Sequence, residues 1–221
     1  MSIRIIVDSA CDLPDSIINH YDIEVLPFNI HIDSKSYRDG IDINTGDVYS
    51  AMNEGKLPTT SQVGLDVFSK SFTRNAKNGN DCIYISFSSK LSGAHQAGKL
   101  VAGQIEEEYP DTSIDVIDSK AGSVAIGIIA YRAVKLIEEG ISKDEVIKKI
   151  KFWADHIEHL FILDDLKTLE RGGRISKTKS FIGSVLKIKP ILNLNDGKIE
   201  LLKKARRTKK SINKLIGLVK D

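Results

Sequence analysis

Three short, β-branched runs each stop in a turn that carries hydroxyl groups, and each leads into a segment with helical spacing. Residues 3–7 run into Asp8-Ser9, residues 82–86 into Ser86-Phe87-Ser88-Ser89, and residues 113–117 into Asp118-Ser119. The first run is fully apolar and reads as a buried parallel strand, because a strand covered on both faces needs no polar alternation, and the other two read as strands. Strands that alternate with helices predict an α/β fold, a mostly parallel sheet flanked by helices.

The intervening segments fill in that plan. Leu13, Ile17, Ile18 and Tyr21 give helical spacing over 13–21, with Asp12 as the expected N-cap and Pro14 in the first turn. A strand is expected over 24–32, a turn-rich excursion over 34–42, and helices over 47–54, 65–75, 94–108 and 124–138. Ser142 and Glu145 form a capping box ahead of a helix over 143–156. After about residue 157 the character changes. A strand over 159–163 is followed by a short helix over 166–170, which ends at Gly172-Gly173, and by a helix over 178–186. Asp196-Gly197 then joins runs 188–194 and 198–202 as a type I′ hairpin. An amphipathic helix over 208–219 places Ile212, Leu215, Ile216 and Val219 on one face. The expected organisation is therefore an N-terminal α/β domain over 1–157 and a smaller, partial C-terminal α/β domain over 158–221.

Composition removes several function classes. With 28% charged and 41% hydrophobic residues the chain is globular in type. Its longest stretch without Asp, Glu, Lys or Arg is 121–131, well short of the roughly 20 residues of a membrane span. Charge comes too early at the N-terminus for a signal peptide, so a cytoplasmic protein is expected. Cys11 and Cys82 form no CxxC pair, and the five His show no metal-ligand spacing, so no metal is expected. There is no G-x-S-x-G elbow, and Ser92 with His95 reads as two neighbouring turn residues. Cys11 lies between Asp8 and Asp12, a setting that raises a thiol pKa. No catalytic residue and no cofactor are expected.

The near-neutral total hides an asymmetry. Residues 198–221 hold nine basic and two acidic residues, a charge of +7, which leaves −5 for the rest of a chain whose net charge is +2. Such an end is open to three readings, a solvated face, a face for an acidic partner or a nucleic-acid contact. Aromatic residues at 6% and the lack of a helix-turn-helix or OB pattern argue against nucleic acid.

The candidate binding residues come from the strand ends and from polar surpluses. Ligands of open α/β sheets bind at the carboxyl ends of the strands, where Ser9, Ser88, Ser89 and Ser119 stand. Thr60, Ser61 and Gln62 precede a helix in greater number than capping requires, and Gly93 lets a backbone approach a ligand. Arg174, next to Gly172-Gly173, offers a planar clamp for an anion. Residues 121–127 are small and apolar, which fits close helix–sheet packing or a helix kept thin beside a narrow ligand.

Several of these motifs occur together and in order: Asp8-Ser9-Ala10-Cys11-Asp12-Leu13-Pro14, Thr60-Ser61-Gln62, Ser88-Ser89-Lys90-Leu91-Ser92-Gly93, Val116-Ile117-Asp118-Ser119 and Leu169-Glu170-Arg171-Gly172-Gly173-Arg174-Ile175. With Lys189-Pro190-Ile191-Leu192 and Lys203-Lys204-Ala205-Arg206, the set resembles the DegV family over residues 3 to about 210. The resemblance implies a non-catalytic carrier that binds a long-chain fatty acid such as palmitate in a slot between two domains. It implies that the carrier presents the carboxyl group to a fatty acid kinase subunit. It implies that Thr60 and Ser92 hold the carboxyl group and that Arg206 docks the kinase or steadies the acyl phosphate. Transient contact with a membrane surface follows as a further expectation, and nucleic acid is not an expected partner. The chain departs from the family pattern at Ser92-Gly93-Ala94-His95-Gln96, where the family usually has Ser-Gly-Thr-Tyr-Gln. The family pattern also continues to a late His-Thr-Gly-Pro-Gly-like segment not found here, so a shortened C-terminal domain is expected.

Overall fold

The first strand is buried from Ile5 onward, and it sets the centre of the fold. The computed structural model describes residues 2–164, 166–175 and 188–220. Strand β1 (Ile3–Asp8) passes through a 3-10 turn (Ser9–Cys11) to helix α1 (Asp15–Tyr21) and strand β2 (Glu24–Leu26). Strands β3 (Asn29–Ile32) and β4 (Lys35–Arg38), helix α2 (Thr45–Asn53), strand β5 (Thr59–Ser61) and helix α3 (Leu65–Lys77) follow. Then come β6 (Asp81–Ser86), α4 (Ala94–Glu108), β7 (Ile114–Asp118), α5 (Val124–Glu138) and α6 (Lys143–His156). The last elements are β8 (Leu160–Ile162), α7 (Lys167–Arg171), β9 (Ile188–Asn195), β10 (Lys198–Arg206) and α8 (Thr208–Lys220).

The chain divides into two units, Met1–His156 and Ile157–Asp221. In the first, β2, β1, β6 and β7 form a parallel sheet in that order. Alternation along the strands sends Ile6, Cys82 and Tyr84 into one core with Phe68 and Phe72 of α3 and Ala97 and Val101 of α4. Val7 and Ile85 alternate to the other side, and α5 packs on β1 and beside α6. Arg4 interrupts the apolar run near the exposed start of β1, where its guanidinium pairs with Asp22. A second, antiparallel sheet in the order β4-β3-β5 is covered by α2 through Ile30, Ile32, Ile43 and Ala51.

Three local expectations need correction. The strand expected over 24–32 breaks at Pro27 and Phe28 into β2 and β3, which belong to different sheets, because proline lacks the N–H that a central ladder needs. Asp12 does not cap α1. It takes a left-handed conformation (φ 49°) after the 3-10 turn, and Pro14 stands at the N-cap position. Residues 59–61, expected only as a polar stretch ahead of a helix, form an edge strand.

In the second unit β10, β9 and β8 form an antiparallel sheet with Ile191 and Leu192 fully buried. Asp196 (φ 44°) and Gly197 (φ 77°) both have positive φ, as a type I′ hairpin requires. Helix α8 packs on β9 and β10 through buried Ser211 and half-buried Leu215 and Leu218, while Ile212, Ile216 and Val219 of its apolar stripe are exposed. The helix expected over 178–186 lies outside the described residues.

Candidate functional site

The winding of the parallel sheet reverses at β1: its first crossover leads to β2 on one side, and β6 and β7 lie on the other. The carboxyl ends of β1 and β6 therefore flank the position where open α/β sheets bind ligands. Asp8 closes that crevice. It is fully buried, and its Oδ2 accepts from Phe87 N at 2.7 Å and from Tyr84 Oη at 3.3 Å, while its Oδ1 has no hydrogen-bond partner among the described residues. Burial is the main cause that pushes this carboxyl group up to about 6, against the opposing bonds from Phe87 and Tyr84. The same burial, more than the neighbouring Asp8 and Asp12, raises the Cys11 thiol, and it lifts Cys82 to about 12.

Most of the hydroxyl groups singled out in the sequence are committed to the fold. Ser9 Oγ donates to Asp39 at 2.7 Å and accepts from Phe28 N at 3.0 Å, tying β1 to the antiparallel sheet. Ser61 Oγ bonds His31 Nε2 at 2.9 Å. Ser88 Oγ accepts from Lys90 N, and its own N–H donates to Ala121 O. Ser89 binds Asp118 through both its N–H and its hydroxyl. Ser119 accepts from Ala121 N at 3.1 Å inside its own turn.

Thr60 and Ser92 differ. Thr60 is exposed on the edge strand β5, and its hydroxyl makes no hydrogen bond among the described residues. Ser92 Oγ accepts from Ala94 N at 3.2 Å, which leaves its proton available. The two segments meet one residue or two beyond these hydroxyls. The Gln62 side chain lies over Gly93, with its Oε1 only 2.0 Å from where a Cβ would stand. A side chain at 93 could fit there only by displacing Gln62.

The small residues after β7 serve close packing. A Cβ on Gly122 would meet the Phe87 ring at 2.8 Å, and one on Gly127 would meet Cys11 O at 2.6 Å. Phe87 in turn packs edge-to-face on Phe28, centroids 6.0 Å apart. His95 does not engage Ser92. Its Nδ1 meets Ser86 Oγ at 3.1 Å, and Ser86 also donates to Ile117 O. Among the described residues no group of three or more His, Cys, Asp or Glu could hold a metal ion.

Two candidates lie in the second unit. The Arg174 guanidinium reaches back to Gly172 O across its own turn. Arg206 is exposed at the end of β10, in an open cleft of about 470 Å³ that is also lined by Lys204, Ala205, Lys210, Asn213 and Lys214.

A family model described as DegV matches residues 2–221. The chain belongs to the DegV family. A DegV domain-containing protein of Caldanaerobacter subterraneus subsp. tengcongensis is 36% identical over 219 residues, which is 99% of this chain and 77% of that one. A stearic acid-binding protein from Eubacterium ventriosum has the same architecture, with a TM-score of 0.92 and 28% identity over 100% of this chain and 76% of that one. A fatty acid-binding DegV family protein from Streptococcus agalactiae gives a TM-score of 0.88 and 31% identity over 100% of this chain and 77% of that one. No helix among the described residues of this DegV chain is long and apolar enough to cross a membrane.

Sequence reasoning missed the partners rather than the candidates. Asp39 and Asp118 are the acceptors that occupy Ser9 and Ser89, and Asp8 organises the crevice. The one available signal was that Asp8 directly follows a fully apolar run and Asp118 a Val-Ile pair at the end of an expected strand.

Proposed function

We propose that this protein binds a long-chain fatty acid, with the carboxyl group held by Thr60 and Ser92 and the tail in a dry apolar slot. The observation that carries the reading is the contrast among the hydroxyl groups. Ser9, Ser61 and Ser89 are spent on structural bonds, whereas Thr60 on β5 and the Ser92 proton are available on two segments that meet at Gln62 and Gly93. The stearic acid bound by the Eubacterium ventriosum relative supports the ligand class. Neutral hydroxyls suit such a head group, since they can donate to a carboxylate or accept from the protonated acid. Burying about ten methylenes gains roughly 8 kcal/mol before the cost of association, so two hydrogen bonds are enough to orient the chain.

The protein acts as a carrier with no chemistry of its own, and it presents the carboxyl group to a partner kinase. The basic segment that contains Arg206 is the face on which an acidic surface of that kinase docks. Extraction of the purified protein, with mass spectrometry of the extract, tests the ligand class. A stoichiometric long-chain fatty acid is expected, and only apo protein after lipid feeding would overturn it.

A further inference from the structure

Gly93 is a glycine that its own backbone does not require. It stands at the N-cap position of α4 with φ −79° and ψ 0°, a negative φ that other residues adopt, and it gives up the side-chain cap that Ser, Thr, Asp or Asn would supply there. What the missing side chain leaves is room. The three atoms nearest to where a Cβ would stand all belong to the Gln62 side chain, with Oε1 closest, Cδ at 3.1 Å and Nε2 at 3.8 Å. The glycine is a seat for the Gln62 carboxamide.

Both sides of that seat are fixed. The Gln62 carbonyl accepts from Asn29 Nδ2 of β3 at 3.0 Å. Val63, the next residue, is buried in the same core as Ala94, the residue after Gly93. The carboxamide itself does not brace the fold, for Gln62 is exposed and its side chain makes no hydrogen bond among the described residues. Two N–H donors on Nε2 are therefore unspent. They stand over the residue that follows Ser92, on a side chain two positions after Thr60.

We propose that Gln62 is a specificity-determining residue, whose Nε2 donates to the ligand carboxylate and makes the pocket prefer a free acid to an alcohol of the same chain length. The proposal rests on the reading that Thr60 and Ser92 hold the head group, and it deepens that reading. The two hydroxyls alone discriminate poorly, because a hydroxyl both donates and accepts and so satisfies an alcohol as well as an acid. A carboxylate has two oxygens that only accept, and it needs more donors than two hydroxyls bring. An amide nitrogen supplies donors only. Lodging Oε1 against Gly93 fixes which end of the amide is left for the ligand.

Displacement of cis-parinarate from delipidated protein, by dodecanoate and by 1-dodecanol, reads this preference as a ratio of affinities. The wild type should favour dodecanoate. Gln62→Met keeps the length of the side chain and removes its donors. It should melt at the wild-type temperature, lose about tenfold in affinity for dodecanoate, and bind 1-dodecanol within about twofold of the wild type. Gly93→Ala puts a Cβ on the seat, so it should narrow the preference in the same way and add little when combined with Gln62→Met. An unchanged preference in Gln62→Met, an equal loss of both ligands, or full additivity of the two substitutions would overturn the proposal and leave the fatty-acid reading standing. Wild-type protein that binds neither cis-parinarate nor dodecanoate would overturn that reading and the proposal together.

Discussion

The same dipeptide, Asp-Ser, ends β1 and β7, and the two copies live in opposite environments. Asp8 ends a central strand. It is fully buried, held by Phe87 N and Tyr84 Oη, and carries one oxygen with no partner among the described residues. Asp118 ends the edge strand of the same sheet. It is half-buried and accepts from Ser89 N, Ser89 Oγ and Lys120 N. Their serines differ too, for Ser9 reaches across to Asp39 while Ser119 closes its own turn. Strand position in the sheet decides whether a carboxylate at a strand end is a cost or a clamp.

One substitution applied to both sites breaks or sharpens this contrast. Asp8→Asn has the largest expected effect, and it stabilises. A folded-state pKa of about 6 lies above the ordinary carboxylate range, so the native protein holds the proton more tightly than the unfolded chain does. Stability then rises as pH falls from about 6 towards that range, and at neutral pH the ionised group costs about 3 kcal/mol. An amide in its place should recover up to about 3 kcal/mol at pH 7.5 and flatten the stability profile between pH 4 and 6, as read by urea unfolding. A destabilised variant with the pH slope retained would remove the buried-charge account.

Asp118→Asn should go the other way. The amide oxygen can still accept from Ser89 N and Lys120 N, which share one carboxylate oxygen, but the Ser89 hydroxyl on the other oxygen would face an NH₂ group and lose its acceptor, at a cost of about 1 kcal/mol. Thermal unfolding at neutral pH checks the sign, and equal signs at the two sites would erase the contrast. Tyr84→Phe has the smallest effect of the three. It removes a long 3.3 Å bond to Asp8 and should cost less than about 1 kcal/mol, with the Asp8 titration midpoint moving upward in a carboxyl-selective NMR titration.

The dipeptides also show how far the sequence could be read. Their place at the ends of buried strands was legible from the apolar runs, but strand order was not, since nothing local distinguishes a central strand from an edge strand. The helices of the first unit were legible from their spacing and from punctuation such as Gly140 and the Ser142–Glu145 pair, whose Glu145 N meets Ser142 Oγ at 3.5 Å. Strand β5 was not, because three polar residues, Thr59, Thr60 and Ser61, show no alternation and pair with residues about thirty positions earlier. The turn at Asp12 was misread because a short acidic residue before Pro14 fits an N-cap as well as a left-handed position. The candidate residues Thr60 and Ser92 came with the family motifs, whereas the commitment of the neighbouring hydroxyls appears only when the distant acceptors Asp39, His31 and Asp118 are in place. The uncovered stripe of α8 was equally hidden, since the direction of that helix follows from the left-handed turn at Arg207 (φ 68°).

Under the proposed function the hydroxyls of Thr60 and Ser92, rather than the basic segment, hold the ligand. The most direct measurement is native mass spectrometry of protein purified after lipid feeding, comparing the wild type with the Thr60→Ala, Ser92→Ala double variant and with Arg206→Ala. A fatty-acid mass is expected on the wild type and on Arg206→Ala, and its loss from the double variant while the fold persists. Retention of the lipid by the double variant, or its loss from Arg206→Ala alone, would contradict the account.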